Sequence, residues 1–319
     1  MGLIKKLEKL TKYGEPIVSL FMVIRDLDKY RQNIGSDRQC ICRKFKREFG
    51  YCPDLDNPQT LNEKIQWLKI NVHKDIQTVC ADKYAVREWL IEKFGEEIKE
   101  YLIPLYFATS DWREITYDKL PDEPFIIKSN HGCHQYAIVR DKSKIDIRQL
   151  RIKCKLWLST DPYIDSQEWQ YKNIPRKIVV EKLLQTSDGK IPNDYKLEYF
   201  NGQLQFVYCS IGRESENKRN IYDPQWNPLP FSWVSKGNNQ AEPKGDDIPA
   251  PASYESMKKY GDAIARLFDY VRCDFYDLEG HLYFGEITFH HGGGYNHFIP
   301  NDYDLYWGKR LTLTSYASN

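Results

Sequence analysis

The chain has 319 residues, of which 41% are hydrophobic and 29% charged, and its formal net charge is +1. This composition is ordinary for a soluble globular protein, and the length is sufficient for two domains or one large domain. The near-neutral charge excludes nucleic-acid or membrane binding driven by bulk electrostatics. The eight cysteines form no C-x-x-C pair, which predicts reduced thiols, and the group Cys40, Cys42 and Cys52 lacks a fourth ligand for zinc.

The first predicted element is a basic amphipathic helix near the start of the chain. Its apolar residues recur at helical spacing, with lysines on the other side. These are Leu3, Ile4, Leu7 and Leu10 against Lys5, Lys6 and Lys9. Such a helix either packs within the protein or docks on an anionic inner-leaflet surface or a membrane partner. No small-residue cleavage site follows the apolar stretch 17–24, and no segment reaches the ~20 apolar residues that span a bilayer, so we expect a cytoplasmic protein.

Helical patterns continue through the first quarter of the chain, and residues 1–75 are predicted to form a helical N-terminal region. Thr60 with Glu63 three positions later has the spacing of a capping box, which predicts that a helix begins there. Residues 80–95 predict one further helix that ends at Gly95. The linking part, 76–123, precedes a change of periodicity from 3.6 to 2 near residue 124.

From residue 124 onward the pattern alternates between short strands and helices. The segments 124–130 and 135–141 predict two strands joined by His131-Gly132-Cys133-His134. A helix over 146–159 and a strand over 177–184 come next, and Asn201-Gly202 then predicts the turn of a hairpin. Further predicted elements are a long surface loop at 214–252, a helix from Ser253 and a final hairpin over 270–289. The whole pattern predicts an α+β fold, with 124–319 as its main part.

Several well-known motifs are missing from the sequence. It contains no G-x-x-x-x-G-K-[ST] loop, and no G-x-G-x-x-G opens a helix after a strand. It also contains no G-x-S-x-G nucleophile elbow and no H-E-x-x-H zinc motif. These observations argue against a P-loop nucleotidase, a dinucleotide-binding domain, a serine hydrolase of that type and a zinc protease.

The final hairpin carries an arrangement of charged residues that suits a divalent cation. Arg272 and Asp274 share one face of the first strand, and Glu286 and Thr288 share one face of the second. Two carboxylates facing each other across a hairpin, with a hydroxyl oxygen beside them, are suitable ligands for Mg²⁺. The alternative is an exposed hairpin whose acids are solvated.

The register of this hairpin tests the magnesium interpretation. A two-residue turn at Glu279-Gly280 would place Asp274 and Glu286 on opposite faces of the sheet. Direct opposition of the two acids therefore requires a three-residue loop or a β-bulge. We expect one of the two.

Charged residues also occur in strands that are otherwise apolar. Lys128, Glu181 and Lys196 each interrupt such a strand, and a buried charge requires a partner of opposite sign. Three such residues on successive strands suggest a polyanionic ligand. The glycine-containing turn that starts at His131 could fold over its phosphates.

Taken together, segments 80–90, 120–135, 178–184, 192–203 and 271–294 resemble the ATP-grasp superfamily, and more narrowly its TupA-like branch. That branch is found in bacterial cell-surface polysaccharide and teichuronopeptide biosynthesis. The segment 58–70 also matches, so the resemblance covers roughly residues 55–313. It implies an ATP-grasp fold, in which two α+β subdomains grip ATP between antiparallel sheets, here with a helical N-terminal extension.

The resemblance also implies roles for individual residues. Asp274, Glu286 and, where the superfamily often has Asn, Thr288 would hold Mg²⁺. Arg272 would stabilise charge that develops on the transferred phosphoryl group or the tetrahedral intermediate. The ATP-binding residues implied in the same way are Lys83, Lys128, Glu181, Lys182, Leu183, Lys196 and Arg213, with 181–183 as the adenine hinge and Lys196 also counted as catalytic.

Enzymes of the superfamily mostly join a carboxylate to an amine through an acyl phosphate. In the TupA-like branch the expected partners are ATP, a glycan or uronic-acid acceptor and an amino-acid or amine donor, with either polarity. The N-terminal helix could then contact the inner membrane or a polysaccharide-assembly complex. Candidate substrate residues are His131, His134, His290, His291 and His297.

Three other functions are weighed against a ligase. A sugar kinase would use the same ATP-binding residues and leave phosphate on the sugar. A glycosyltransferase would require a nucleotide-sugar fold and a D-x-D-type metal site, whereas the acids of the final hairpin lie in Asp274-Phe275-Tyr276-Asp277 and no Rossmann-like βαβ run accompanies them. A non-catalytic glycan-binding protein would not need Lys128, Arg272, Asp274 and Glu286 together.

The segment 283–298 places three histidines and three consecutive glycines after the strand that contains Glu286. Its ligand spacing fits no zinc site on a helix or hairpin. We expect the glycines to form a flexible loop over the triphosphate or the acceptor, where side chains would obstruct close approach. The histidines are then acceptor-binding or proton-transfer groups.

Overall fold

A computed structural model describes residues 14–214, 216–234 and 243–314. The predicted basic amphipathic helix at the start of the chain and part of the predicted loop 214–252 lie outside the described residues. Within the described ranges, no helix is both long enough and apolar enough to cross a membrane.

Nine α-helices occur in the described residues. They are α1 (Glu15–Gln32), α2 (Asp37–Phe49), α3 (Leu61–Asn71), α4 (Asp75–Ala81), α5 (Ala85–Phe94), α6 (Ile147–Leu158), α7 (Pro162–Ser166), α8 (Tyr254–Ala265) and α9 (Asp302–Gly308). Short 3₁₀ segments occur at Glu96–Tyr101, Trp112–Glu114, Lys142–Lys144, Trp169–Tyr171 and His291–Gly294. The capping box predicted for α3 is present, because the Thr60 side chain accepts from the backbone of Glu63 and the Glu63 side chain accepts from the backbone of Thr60.

The single helix predicted over 80–95 is wrong, because the chain breaks between α4 and α5. The Asp82 carboxylate accepts from the Tyr84 amide at 2.8 Å, and such local side-chain bonding competes with a continuous helix. Asn130 then holds the break, since its side chain donates to Asp82 and its carbonyl accepts from the Lys83 amide. The predicted end of α5 at Gly95 is confirmed, with a φ of +87°.

The chain forms two compact units, each built from several segments. The first comprises the described residues of 1–36 together with Thr78–Glu96 and Ile103–Leu183. The second comprises Asp37–Gln77, Glu97–Leu102 and the described residues of 184–319. The helical region 1–75 is thus divided between both units.

A four-stranded antiparallel sheet forms the centre of the first unit. Its strands are β1 (Leu105–Thr109), β2 (Phe125–Ser129), β3 (Tyr136–Val139) and β4 (Ile178–Lys182), in the spatial order β1-β4-β2-β3. Alternate residues of β2 are buried, as expected for a strand with one face on a core. That core packs against α6 through Leu150, Cys154 and Trp157.

The second unit contains a five-stranded antiparallel sheet and a two-stranded ribbon. The strands of the larger sheet are β5 (Asp194–Phe200), β6 (Gln203–Ile211), β7 (Lys218–Tyr222), β9 (Tyr270–Leu278) and β10 (His281–Thr288), in the order β10-β9-β5-β6-β7. The ribbon pairs β8 (Ser232–Val234) with β11 (His297–Ile299). Because β7 and β8 fall within 214–252, the prediction of one continuous loop there is wrong.

The two faces of the larger sheet have different chemistry. Leu197 and Tyr199 of β5 point to the face on which α8 packs, and the helix approaches so closely that a side chain at Gly261 would collide with the Tyr199 ring. The intervening residues of β5, Lys196 and Glu198, point to the opposite face. That second face carries the charged residues of the candidate site.

The hairpin of β9 and β10 has the register that the magnesium interpretation requires. Its turn is the two-residue Glu279-Gly280, and both residues have positive φ, as in a type I′ turn. A β-bulge at Gly285 then shifts the register, so that Glu286 lies directly opposite Asp274. The prediction of a three-residue loop or a bulge is confirmed in its second form.

Replacement of Gly285 by alanine tests the role of this bulge. An added Cβ would lie 2.8 Å from the Asp274 carbonyl oxygen, a backbone atom that can yield only if the strand moves. We expect Gly285→Ala to lower the free energy of unfolding by about 1–3 kcal/mol, the usual cost of overpacking. Urea unfolding measures this, with Gly245→Ala as the control, since an added Cβ there would lie no closer than 3.3 Å to any atom beyond its chain neighbours, the nearest being Lys218 Cβ. An unchanged unfolding free energy for Gly285→Ala would contradict the steric argument.

Candidate functional site

Three charged side chains form a row across the central strands of the second unit. Lys196 of β5 lies opposite Asp274 of β9, which in turn lies opposite Glu286 of β10. Directly opposed residues of an antiparallel pair share one face of the sheet. The structure therefore brings together three of the residues that the sequence assigned to phosphate and metal binding.

Asp274 lies at the centre of this row and is almost completely buried. The Arg272 guanidinium donates side-on to both of its oxygens, from Nε at 2.6 Å and from Nη2 at 2.7 Å. The Lys196 ammonium donates to the same carboxylate at 2.7 Å. Burial raises the pKa of Asp274, whereas the two cations lower it.

Arg272 also contacts the second predicted metal ligand. Its Nη2 donates to Glu286 Oε1 at 3.1 Å while it donates to Asp274 Oδ2. Burial alone would weaken the charge on the guanidinium, but the surrounding carboxylates, first Asp274 and then Glu286, raise its pKa well above the ordinary value. One cationic nitrogen thus reaches both carboxylates.

An acidic residue of β5, Asp194, extends the cluster. Asp194 Oδ2 accepts from Lys196 Nζ at 2.5 Å and forms an ion pair with Arg213 Nη1 at 3.3 Å. Arg213 Nη1 also lies 3.5 Å from the Tyr276 hydroxyl. The sequence-predicted Arg213 is therefore placed beside Lys196, joined to it through Asp194.

The donor set is suitable for a magnesium ion. Asp274 and Glu286 provide oxygen ligands on the same face, and the guanidinium nitrogen that contacts both shows that one cation can reach the pair. Thr288 lies opposite Arg272 on the same face of β10. Within the described ranges, no set of three or more His, Cys, Asp or Glu side chains converges on one point, so a metal bound here would complete its shell with water, phosphate or the Thr288 hydroxyl.

The first unit holds a separate pair of predicted ATP-binding residues. Lys128 of β2 contacts Glu181 of β4, with Nζ at 2.6 Å from Oε2. Glu181 is 3% exposed, and its other oxygen lies 3.7 Å from Arg87 Nη1. A buried carboxylate with two cations beside it fixes the position of both cations.

The segment predicted as the adenine hinge follows Glu181 directly. The Lys182 amide donates to the Pro104 carbonyl, and the Leu183 amide donates to the Pro124 carbonyl. Both donors are therefore used within the protein. The side chain of Lys182 is exposed and that of Leu183 is buried.

The glycine-containing turn after β2 lies against the helix break that contains Lys83. The Lys83 ammonium donates to the Gly132 carbonyl at 3.0 Å. Gly132 packs so tightly on Ser129 and Gln135 that a side chain there would collide with both. The structure thus joins Lys83 to the turn that the sequence proposed as a phosphate cradle.

The two histidines of this turn occupy different environments. His131 is buried, with Nδ1 at 3.1 Å from Asn130 Oδ1, and burial lowers its pKa to about 4. His134 is exposed and has a φ of +58°. Of the two, only His134 presents its ring to solvent.

The glycine run after β10 does not form the flexible loop that we expected. Gly293 and Gly294 present their carbonyls to α3, where Gln66 Nε2 donates to both and the Lys69 ammonium donates to Gly293. A side chain at Gly294 would collide with Gln66 and Ile65. The glycines are required for this close approach, because buried backbone carbonyls need the two donors of α3.

The histidines of the same segment separate into two groups. His290 and His291 are buried, whereas the ring of His297 packs against Phe49 in a tilted arrangement, with the centroids 4.6 Å apart. His297 also lines a cavity of about 370 Å³ in the second unit. Other residues that line it are Glu48, Phe49, Tyr51, Asp302 and Asp304.

A family model decides the relationship of this chain to known proteins. The model of the TupA-like ATP-grasp family matches residues 63–312, which are 250 of the 319 residues. The chain belongs to the TupA-like ATP-grasp family. The antiparallel sheets with interspersed helices fit the α+β ATP-grasp fold predicted from the sequence. No curated protein matches the chain.

Solved structures similar to this TupA-like protein include other ATP-grasp proteins. D-Alanine–D-alanine ligase from Bacillus anthracis is 14% identical, with 66% of this chain and 57% of that chain covered and a TM-score of 0.36. The Helicobacter pylori enzyme is 16% identical, with 74% and 62% covered and a TM-score of 0.39. The ATP-grasp ligase PsnB, complexed with a minimal precursor, Mg and ADP, is 10% identical, with 72% and 57% covered and a TM-score of 0.37. The chain spans less than two thirds of the length of each.

Several residues that hold the site of this TupA-like protein are not among those predicted from the sequence. Asp194 lies two residues before Lys196 on β5 and Glu198 lies two residues after it. Because residues two positions apart in a strand point to the same side, this spacing could have placed both acids on the sheet face of Lys196. Arg87 on α5 and the α3 side chains Gln66 and Lys69 gave no such signal. Their partners lie far away in the sequence.

The buried His131 of the TupA-like protein predicts a measurable pH dependence. Its pKa is about 4 in the folded chain against an ordinary 6.5. Protons therefore bind more tightly to the unfolded chain, and the free energy of unfolding decreases as the pH falls from 6.5 towards 4. Between about pH 7 and about pH 5 this linkage removes about 2 kcal/mol. We expect His131→Asn to show a smaller loss over that range in urea unfolding, with the exposed His134→Asn as control. Equal pH slopes in the wild type and His131→Asn would contradict the assignment.

Proposed function

We propose that this protein is an ATP- and Mg²⁺-dependent ligase that joins a carboxylate to an amine in the modification of a bacterial cell-surface polysaccharide. The observation that carries the proposal is the row Lys196–Asp274–Glu286 with Arg272 bound to both acids on one sheet face. Membership of the TupA-like ATP-grasp family supports it. The polysaccharide role follows from that branch of the family.

The residues of the second unit act on the phosphates in this proposal. Asp274 and Glu286 hold the magnesium ion, which neutralises phosphate charge when bound. Lys196, fixed by Asp194 and Asp274, provides a positive charge that does not have to be reorganised during the reaction. Arg272 stabilises the negative charge that develops on the transferred phosphoryl group.

The family resemblance assigns further nucleotide contacts, to phosphate and to adenine, to residues of the first unit. Lys83 and the turn at Gly132 contact phosphate, and Lys128 is oriented by Glu181. Because the amides of Lys182 and Leu183 already donate to protein carbonyls, the hinge would recognise adenine with acceptor groups. An adenine amino group is a donor and is suited to such acceptors.

The proposed reaction has two displacement steps. A carboxylate of the acceptor, such as that of a uronic acid, attacks the γ-phosphorus of ATP, and ADP leaves with the bonding electron pair. The amine of an amino acid then attacks the acyl phosphate, forms an amide and releases phosphate and a proton. The protein's contribution is to position the reactants and to stabilise negative charge.

Product analysis tests this proposal. We would incubate the protein with Mg-ATP and pairs drawn from a panel of uronic acids, sugars and amino acids. ADP and inorganic phosphate should appear only when a carboxylate and an amine are both present, with a product whose mass is the sum of the two minus water. A phosphorylated sugar formed without any amine would show a phosphotransferase instead. No acceptor-dependent ADP release from any pair would overturn the proposal.

Two variants make the assay specific to the site. Asp274→Asn removes one charge from the proposed metal pair, and we expect acceptor-dependent ADP release to fall at least about 100-fold, as in losses of a central charge-stabilising group. Glu279→Gln changes an exposed acid in the hairpin turn of the same two strands and should leave the rate unchanged. Equal activity of the two variants would exclude Asp274 from the chemistry.

A further inference from the structure

His291 lies behind Arg272 in the second unit and is buried between aromatic rings. Its ring stacks on Trp233, with centroids 3.9 Å apart and planes within 10°, and meets the Tyr208 ring edge-on at 5.9 Å. These contacts fix the plane of the imidazole. Its Nδ1 lies 3.0 Å from Arg272 Nη1 and 2.9 Å from Glu198 Oε1.

Both neighbours of this nitrogen are held in place from their other sides. Glu198 is fully buried, and its second oxygen accepts from the Tyr270 hydroxyl at 2.8 Å. Arg272 is held by Asp274 and Glu286 through Nε and Nη2, which leaves Nη1 directed at His291. The imidazole thus bridges an acidic and a basic side chain that are directly opposed on β5 and β9.

The two neighbours make incompatible demands on one nitrogen. A guanidinium can only donate, an ionised carboxylate can only accept, and an imidazole nitrogen does one or the other. If Nδ1 carries the proton, it donates to Glu198 and cannot accept from Arg272. If Nδ1 is unprotonated, its one lone pair accepts from Arg272 and it has no proton to donate to Glu198.

The ring is neutral around neutral pH, so both arrangements are open to it. Burial lowers the pKa of His291, and the positive charges of Arg272 and Lys196 act in the same direction, although Glu198 opposes them. A neutral imidazole exchanges between its two tautomers when one nitrogen releases a proton and the other takes one up. The net charge of the buried cluster does not change in that exchange.

We propose that His291 is a positioning residue that holds Arg272 in the free protein and releases it to the reacting group by a change of tautomer. In the free protein Nδ1 accepts from Arg272. When the anionic phosphoryl group takes the Arg272 Nη1 donor, Nε2 releases its proton to water, and Nδ1 takes up a proton from water and donates a hydrogen bond to Glu198, so the protein neither gains nor loses a net proton. This inference rests on the proposed function, because it requires an anion that binds Arg272.

The exchange solves a specific problem of a buried site. A guanidinium that leaves a buried acceptor would ordinarily leave that acceptor without a donor, and an unsatisfied buried acceptor is destabilising. Here the imidazole changes from acceptor to donor, so Glu198 gains a bond as Arg272 departs. Arg272 can therefore move towards substrate without an unsatisfied group behind it.

Histidine NMR tests the proposal directly, without a need for turnover. In protein labelled with ¹³C and ¹⁵N at histidine, the His291 signals are assigned by their absence in His291→Asn. We expect the Nε2–H tautomer in the free protein and the Nδ1–H tautomer after addition of ADP, Mg²⁺ and aluminium fluoride as a mimic of the phosphoryl group. His281, an exposed residue of the β9–β10 hairpin, should keep its signals and serves as the control.

The outcomes separate the two proposals. Calorimetry that detects no ADP or ATP binding would overturn the proposed function, and this inference with it. Nucleotide binding with an unchanged His291 tautomer, or an Nδ1–H tautomer already present in the free protein, would overturn the inference alone.

Two substitutions distinguish positioning from a purely structural role. His291→Phe keeps a ring to stack on Trp233 but removes both nitrogens, and should lower kcat about 100-fold, as expected for a misplaced catalytic group, with KM for ATP within about twofold. His291→Asn places an amide near the Nδ1 position that can accept or donate after rotation, and should restore kcat to within about tenfold of the wild type. Equal losses in the two variants, or a parallel rise in KM, would contradict positioning.

Discussion

A buried carboxylate held between two cations is the interaction on which the second unit depends. Taking Asp274 out of water costs several kcal/mol, and only well-placed partners offset that cost. Arg272 and Lys196 provide those partners, and each brings a further acid, Glu286 and Asp194 respectively. The strands β5, β9 and β10 must therefore keep one register, because a shift of one residue would turn these charges towards the apolar face under α8.

The same constraint explains the features around the cluster. The bulge at Gly285 is needed because a regular two-residue hairpin would place Glu286 on the wrong face. The imidazole of His291 fills the space between Arg272 and Glu198, and the glycines that follow it let α3 approach and bind their carbonyls. Charge pairing thus determines the backbone conformation at the Gly285 bulge and in the glycine run that follows His291.

The first unit repeats this principle on a smaller scale. Glu181 is buried with Lys128 and Arg87 beside it, so the cations of this unit are also fixed by one carboxylate. Asn130 connects the turn at Gly132 to the helix break at Lys83 through side-chain and backbone bonds. The uncharged Asn130 therefore holds the segment that contains Lys83 in place.

Local sequence signals predicted much of this arrangement, whereas long-range contacts could not be predicted. Parity required either a three-residue loop or a bulge between Asp274 and Glu286, and the bulge is present. The Thr60 capping box and the Asn201-Gly202 turn follow from short-range chemistry. The helix break at Lys83 depends on Asn130, and the conformation of the glycine run 292–294 depends on Gln66 and Lys69. These three partners are far away in the sequence, so periodicity predicted a continuous helix at 80–95 and a flexible loop after β10 instead. Short paired strands inside 214–252 were missed because their neighbours are rich in turn-forming residues.

A double-mutant cycle on Mg²⁺-dependent ATP binding tests most directly whether Asp274 and Glu286 act as one pair. ATP affinity would be measured by calorimetry with Mg²⁺ and with EDTA for the wild type, Asp274→Asn, Glu286→Gln and the double variant. The account predicts that each single variant loses most of the increase in ATP affinity caused by Mg²⁺. The double variant should lose little more than either single variant, which corresponds to a coupling energy of at least about 1 kcal/mol. Additive losses, or a magnesium-dependent gain that survives in the double variant, would contradict it.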